Sequence, residues 1–215
     1  MRTLPEPQEN GLIADEPLDV EILESKLAFK GHVWDVRTET FAYGDRKLTR
    51  DFVDHTGAVA VVALDDDDRM LLIQQYSHPV RHRLWEIPAG LLDITGEDPL
   101  AAAQRELAEE ADLVATDWSV LSEFYTSPGG SNEVIRLYLA RGLVAAQEAF
   151  ERSEEEADIV TRWVPLDEVV DGVLARRLQN HTLSIGALTA HAARARGWAS
   201  LGAPEEPWSR HPRLH

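Results

Sequence analysis

GLLDITGEDPLAAAQRELAEEADL, residues 90–113, contains the pattern of an amphipathic helix whose polar face is acidic. At about 100° per residue, Glu106, Glu109 and Glu110 fall on one face of this helix. The opposite face carries small and apolar residues, namely Leu100, Ala103, Leu107, Ala108 and Ala111. The pattern predicts a helix that packs on a sheet and directs its three carboxylates outward.

Three glutamates on one helix face are unfavourable in isolation. Like charges three or four residues apart cost about 0.2–0.5 kcal/mol per pair, and acidic residues in the last turn oppose the negative end of the helix dipole. A hard divalent cation with oxygen ligands would make each of these interactions stabilising. The pattern therefore favours a magnesium site, and the alternative for these residues alone is a solvated acidic face.

The residues around this helix resemble the Nudix box. Gly90 is followed by Glu97, then after seven residues by Arg105-Glu106, an apolar residue, any residue and Glu109-Glu110. Agreement at several positions is more specific than a lone glycine-rich loop. The resemblance implies an α/β protein, namely a Nudix-type α/β/α sandwich with a mixed sheet, preceded by an N-terminal antiparallel β element.

The segment departs from the box at two positions. Six residues separate Gly90 from Glu97, where the pattern has five, and Asp112 stands where the pattern has a closing glycine. The extra residue lies in a turn-rich loop before Asp98, a suitable helix cap, and Pro99, a suitable first residue. A left-handed residue at the helix end costs a non-glycine about 1–2 kcal/mol, although Asp tolerates it well. Neither departure removes a metal ligand.

The resemblance assigns the metal ligands to residues of the box and the turn before it. Glu106 and Glu110 are the main ligands of Mg²⁺, for which Mn²⁺ is a possible substitute. Glu109 supports them, and the backbone carbonyl of Ala89 is a further ligand. These ligands suit phosphoryl transfer, which requires mainly positioning and charge stabilisation.

The resemblance also assigns catalytic roles to Arg105 and to an acidic loop. In this family the matching arginine orients the glutamates, and its partner here is either Glu97 or Glu109; the alternative for Arg105 is a surface ion pair. Residues 151–159, ERSEEEADI, match a mobile loop that carries the glutamate activating water. Glu156 is the best match for this base and Glu155 the second, because spacing alone does not separate them.

Two flanking motifs point to the substrate. WEIPAG, residues 85–90, and SPGG, residues 127–130, resemble motifs of the ADP-ribose pyrophosphatase branch, and Pro128 lies sixteen residues after Asp112. The resemblance covers residues 29–194 and implies hydrolysis of ADP-ribose to AMP and ribose 5-phosphate. The predicted substrate-binding residues are Arg81, Arg83, Glu86, Pro128 and Gly129. The alternatives are ordinary Pro-Gly turn chemistry and surface arginines.

Two other functions stay open at this point. The first is hydrolysis of another nucleotide sugar, such as an ADP-hexose or GDP-mannose. The second is a non-catalytic sensor that binds ADP-ribose. Loss of catalysis usually appears as broken carboxylates, and all four box glutamates are present, which favours an enzyme.

Composition limits the partners. The net charge of −17 argues against binding to nucleic acid through its phosphates. The chain has no cysteine, so it has no disulfide framework. Neither a leader-like N-terminus nor an apolar run of membrane-spanning length is present, so we expect a cytoplasmic protein without membrane partners.

Apolar runs and turn residues predict the remaining elements. Strands are predicted at 30–40, 48–55, 57–64, 70–76, 118–125, 134–139 and 160–164, and helices at 166–178 and 182–196. The predicted organisation is a flexible tail (1–18), an N-terminal β element (19–56), a Nudix hydrolase domain (57–198) and a second flexible tail (199–215). The acidic run 65–68 is interpreted as a solvated hairpin turn without chemistry. The resemblance implies a homodimer formed through the β element, with Trp34 and Phe41 as apolar contributors or as monomer core.

Overall fold

A computed structural model describes residues 13–147, 150 and 158–212. The elements are β1 (Ile22–Phe29), β2 (Asp35–Tyr43), β3 (Arg46–Asp54), β4 (Ala58–Ala63), β5 (Arg69–Ser77), β6 (His82–Glu86), β7 (Ala89–Leu91), α1 (Pro99–Ala111), β8 (Leu113–Tyr125), β9 (Val134–Ala145), β10 (Val160–Pro165), α2 (Leu166–Leu174) and α3 (His181–Arg194). In the described part of the chain they form three sheets, with strand orders β1-β2-β3, β10-β5-β6 and β7-β4-β9-β8.

β4 lies at the centre of the molecule and is buried on both faces. Val59 and Val61 pack with the apolar residues of α1, whereas Ala60 and Val62 pack with residues of α2 and α3. Because successive side chains of a strand alternate between faces, a strand covered on both sides must be apolar throughout. The β4–β9 pairing is parallel and the other pairings of this sheet are antiparallel. The predicted α/β/α sandwich with a mixed sheet is confirmed.

α1 begins and ends where the sequence predicts. The carboxylate of Asp98 accepts hydrogen bonds from the backbone N–H groups of Leu100 and Ala101, at 2.9 and 3.4 Å. Asp112 adopts the left-handed conformation, with φ 53° and ψ 37°, and its N–H donates to the Ala108 carbonyl at 3.0 Å. The helix end is therefore formed although the closing glycine of the box is absent.

The prediction that the acidic face of α1 points outward is wrong for two of its three glutamates. Glu106 is 8% exposed and Glu110 is 4% exposed. The reason is that α1 also packs against β7, a three-residue strand that sequence patterns did not predict. The acidic face therefore forms the contact between the helix and this strand.

The N-terminal sheet has three antiparallel strands, of which two were predicted with shifted bounds. β1 was missed, and every residue of it is exposed, so it carries no clear alternation of buried and exposed positions. β6 was missed as well, and both β6 and β7 are short. The bounds predicted for the last two helices extend past their observed ends at Leu174 and Arg194.

The C-terminal residues up to 212 are not a loose tail, and this part of the predicted organisation is corrected. Gly202 forms a β-bridge with Val120, and Trp208 and His211 are buried, at 5% and 1% exposure. Burial of two large side chains holds a segment whose proline-rich, polar composition suggested a tail. None of the helices in the described part of the chain has the length and hydropathy needed to cross a bilayer.

Candidate active site

The site is built at the contact between β7 and α1. A Cβ atom added to Gly90 would lie 1.9 Å from Oε1 of Glu106 and 2.0 Å from its carboxyl carbon. Only a residue without a side chain leaves room for this carboxylate. One residue earlier, the backbone N–H of Ala89 donates to Oε2 of Glu110 at 2.9 Å. The backbone of β7 thus positions both buried glutamates.

Arg105 connects the remaining box carboxylates. Its Nε and Nη2 donate to the two oxygens of Glu97, at 2.9 and 3.0 Å. Its Nη1 donates to Oε1 of Glu106 at 2.5 Å and to Oε2 of Glu109 at 3.0 Å. Both partners considered from the sequence are therefore bound, and Glu106 is a third. A planar guanidinium with five donors suits this arrangement.

These contacts shift the pKa values of the pair in opposite directions. Hydrogen bonds from Arg105 hold the pKa of Glu97 below its ordinary value. Burial acts in the opposite direction but is the smaller effect. The hydrogen bonds to Glu97 are the largest cause that raises the pKa of Arg105 above its ordinary value. Both groups are therefore charged at neutral pH, and Arg105 partly compensates the buried negative charge.

The donor set fits a hard divalent cation, although its side chains are engaged with protein groups. Among the described residues, no three carboxylate or imidazole groups are arranged as a metal cluster. Glu106 and Glu109 accept hydrogen bonds from Arg105, and Glu110 accepts one from the backbone. Buried carboxylates nevertheless need positive charge nearby to offset desolvation. Oxygen donors on one helix face are the ligands that Mg²⁺ and Mn²⁺ accept.

The predicted substrate-binding residues of β6 lie on different faces of the strand. Glu86 accepts hydrogen bonds from Gln75 Nε2 at 3.2 Å and Ser77 Oγ at 3.1 Å. Gln75 and Ser77 share a face of β5 with Leu71, which packs with α1. Glu86 therefore faces the α1 side of the sheet.

The two predicted arginines are not gathered beside Glu86. Arg83 lies three residues from Glu86 and so points to the opposite face of β6. Its Nη2 is 3.5 Å from a carboxylate oxygen of Asp158. Arg81 is an exposed residue of the turn before β6, with φ 56°.

Pro128 and Gly129 line a groove of about 490 Å³, which we call the SPGG groove. Its wall is formed by three segments: residues 50–52 of β3, residues 128–132 with Tyr125, and Arg210 with Pro212. None of the box glutamates is among these lining residues. The structure thus brings the SPGG motif together with the N-terminal sheet and the C-terminal residues, and not with the carboxylates of the same chain.

Two of the predicted site residues are not described by the structure, and three other residues were not predicted from the sequence. Glu155 and Glu156, predicted as the base, lie outside the described residues. Conversely, sequence reasoning missed Gln75 and Ser77, which hold Glu86, and Arg210. No alternation marks the first two, because they follow a continuous run of buried apolar residues in β5. No local pattern marks Arg210.

Comparisons with known proteins agree with this geometry. The family model described as NUDIX domain matches residues 54–184. An ADP-ribose pyrophosphatase of Mycobacterium tuberculosis is 41% identical over 177 residues, covering 81% of this chain and 84% of that protein. An ADP-ribose pyrophosphatase of Bacillus subtilis is 35% identical over 140 residues, covering 65% and 75%. A solved structure described as an ADP compounds hydrolase superposes with a TM-score of 0.69 at 20% identity, covering 86% of this chain and 99% of that one, which shows a shared fold.

Proposed function

This chain belongs to the Nudix family, and we propose that it hydrolyses the pyrophosphate of ADP-ribose to AMP and ribose 5-phosphate with Mg²⁺ as its metal. Relatives named ADP-ribose pyrophosphatase that align over most of the chain support this substrate. The SPGG motif and the WEIPA residues before Gly90 support it as well, because they lie outside the box itself.

The observation that carries the proposal is the pair of buried carboxylates, Glu106 and Glu110, positioned by the backbone of β7. In this proposal they bind the cation together with Glu109 and the Ala89 carbonyl. A divalent cation would neutralise the pyrophosphate charge and make a bound water more acidic. Arg105 orients the glutamates through its contacts with Glu97, Glu106 and Glu109. Fixed charges of this kind lower a barrier without reorganisation during the reaction.

The observations that support the proposed substrate contacts differ from residue to residue. Glu86 is the best supported contact to a sugar hydroxyl, because it faces the α1 side of the sheet and is held by two donors. Pro128 and Gly129 are supported by their place in a groove of suitable size for part of a nucleotide. Arg81 and Arg83 stay predictions. The base, Glu156 or Glu155, and a cytoplasmic location stay predictions as well.

We also propose a homodimer formed through the N-terminal β element. In this proposal the β element comprises residues 19–56 and the Nudix hydrolase domain comprises residues 57–198. β1 is an edge strand of its sheet, and Leu23, Leu27 and Phe29 on it are 40%, 50% and 63% exposed. An edge strand with exposed apolar residues favours pairing with another chain. A second copy would also let the SPGG groove of one chain complete the carboxylate site of the other. Trp34 contributes within the chain, since its ring stacks on His55 at 3.9 Å.

A substrate panel with Mg²⁺ tests the proposed function. Purified protein is incubated with ADP-ribose, ADP-glucose and GDP-mannose, and the products are separated by chromatography. AMP and ribose 5-phosphate from ADP-ribose, at the highest kcat/KM of the three, is the expected result. A higher kcat/KM for another nucleotide sugar would replace the substrate, and binding of ADP-ribose without products would favour a sensor.

Glu110→Gln tests the metal site on the same assay. The amide oxygen can still accept from the Ala89 N–H, so the fold should be kept, whereas the charge that binds Mg²⁺ is lost. We expect kcat/KM to fall by at least about a hundredfold. Gln104→Ala, at an exposed position of the same helix, is the matched control. Activity that survives Glu110→Gln or a chelator would contradict the assignment.

A further inference from the structure

Residues 199–212, here called the C-terminal segment, are attached to the hydrolase fold by a buried cation. Arg136 on β9 is 2% exposed. Its Nη1 donates to the backbone carbonyl of Glu206 at 2.8 Å, and its Nε and Nη2 donate to Glu123 at 2.8 and 2.5 Å. Its guanidinium carbon lies 4.8 Å from the centre of the Trp208 ring. These contacts fix the segment, because its displacement would remove the Glu206 carbonyl and the Trp208 ring from a buried charge.

The end of the C-terminal segment is fixed at a second point. Nε2 of His211 lies 3.0 Å from the carbonyl oxygen of Thr56. Gly57, with φ 84°, makes room for this ring, since an added Cβ would lie 2.3 Å from Nε2 of His211. Arg210 is therefore held between two anchored residues, Trp208 and His211, and its position at the SPGG groove is determined by the fold.

The guanidinium group of Arg210 lies at this groove and is accessible to a ligand. Its side chain is 47% exposed, and Nη1 is 3.2 Å from a carboxylate oxygen of Asp15, which is 86% exposed. An ion pair this exposed contributes little and can exchange for a better anion. The acidic residue of the groove, Asp51, accepts a hydrogen bond from Thr38 at 2.5 Å. Arg50 supplies a second cation to the same wall.

The two arginines of the SPGG groove stand out because the chain as a whole is strongly acidic. A protein with a net charge of −17 repels a phosphate-bearing substrate over most of its surface. Two arginines that line one groove beside Phe52 and Tyr125 create a local exception suited to an anion attached to a planar apolar group. The planar fork of an arginine binds two oxygens of a phosphate at once, which lysine does not do.

We infer that Arg210 is a substrate-binding residue that contacts a phosphate of the nucleotide where, in the proposed homodimer, the SPGG groove of one chain meets the carboxylates of the other, so that the C-terminal segment forms part of the substrate site. This inference rests on the proposed function for the identity of the nucleotide. The segment lies outside the matched family region, residues 54–184. Affinity for the nucleotide would thus depend on residues that follow the hydrolase domain.

Arg210→Gln tests the inference with two measurements on the full-length protein. The first is kcat and KM for ADP-ribose with Mg²⁺, and the second is the Kd of AMP by calorimetry, which needs no turnover. We expect KM and Kd to rise at least about tenfold with kcat within a factor of about three, because a charge-assisted bidentate contact is lost. Arg210→Lys should recover part of the affinity. Arg196→Gln, at an exposed arginine two residues after the end of α3, is the matched control and should leave both constants unchanged.

The two measurements separate this inference from the proposed function. If the wild type cleaves ADP-ribose and Arg210→Gln keeps the wild-type KM and Kd, the inference is wrong and the proposed function stands. If the wild type does not cleave ADP-ribose but binds AMP with an affinity that Arg210→Gln weakens, the proposed function fails and the role of Arg210 stands. No AMP binding to a wild type that also fails to cleave would overturn both.

Discussion

Gly90 and Glu106 are in direct contact across the β7–α1 boundary, so close that a methyl group on Gly90 would overlap the glutamate carboxyl group. This contact explains why a glycine stands sixteen residues before Glu106. The helix can bury a carboxylate only where the facing strand has no side chain. The glycine at position 90 therefore meets a packing requirement of the folded protein.

Gly90→Ala should therefore displace the Glu106 carboxylate. We expect the free energy of unfolding to fall by about 1–3 kcal/mol from overpacking and the affinity for Mg²⁺ to fall as well. Denaturant unfolding and Mg²⁺ titration of activity measure the two effects. Gly129→Ala is the control for stability, since an added Cβ there meets no atom within 4 Å. Equal stability losses in the two variants would contradict the contact.

Glu97→Gln should make stability less dependent on acid pH. The Arg105 hydrogen bonds hold the folded pKa of Glu97 below its ordinary value of 4.5. Its contribution is therefore fully present above about pH 4.5 and is lost as the pH falls through the folded pKa. At pH 7 the variant should lose about 1–3 kcal/mol of unfolding free energy.

Denaturant unfolding of wild type and Glu97→Gln at pH 7 and at pH 3 measures this prediction. The difference between the two proteins should shrink at the lower pH. Glu205→Gln, at an exposed glutamate, is the control and should differ little from wild type at either pH. A difference that stays constant with pH would show that the Glu97 charge is not what stabilises the site.

Glu156→Gln should lower kcat by about 10²–10⁴-fold with KM nearly unchanged, because the proposed general base acts in the transition state and the proposed metal ligands are left intact. Steady-state kinetics at saturating Mg²⁺ measure the change. Glu154→Gln, two residues away in the same acidic run, is the control. A large loss in Glu155→Gln with a near wild-type Glu156→Gln would move the base by one residue.

Phe29→Glu should disrupt the proposed dimer. A charge placed on the apolar edge strand β1 makes pairing with a second chain unfavourable. Light scattering should give twice the chain mass of 24.0 kDa for the wild type and the single mass for the variant. Leu174→Glu, at an equally exposed leucine on α2, should stay dimeric. A wild type that scatters as a single chain would exclude the dimer.

The features that could be predicted from the sequence depend on residues close together in the chain. The start of α1 at Pro99, its cap at Asp98, its left-handed end at Asp112 and the shared face of the glutamates all follow from local spacing. The buried strand β4 follows from a continuous apolar run. Hydrogen bonds within a helix and alternation along a strand connect near neighbours, so the sequence carries them directly.

The environment of those residues was decided by contacts between distant parts of the chain. Burial of Glu106 and Glu110 requires β7, whose three residues carry no usable periodicity. The C-terminal segment is ordered by Arg136, seventy residues before Glu206, and composition alone indicated a tail. Arg210 reaches the SPGG groove for the same reason. Such contacts form only when the whole chain folds. Their free energy comes from burial and charge compensation between surfaces that are far apart in the sequence, and no local pattern brings these surfaces together.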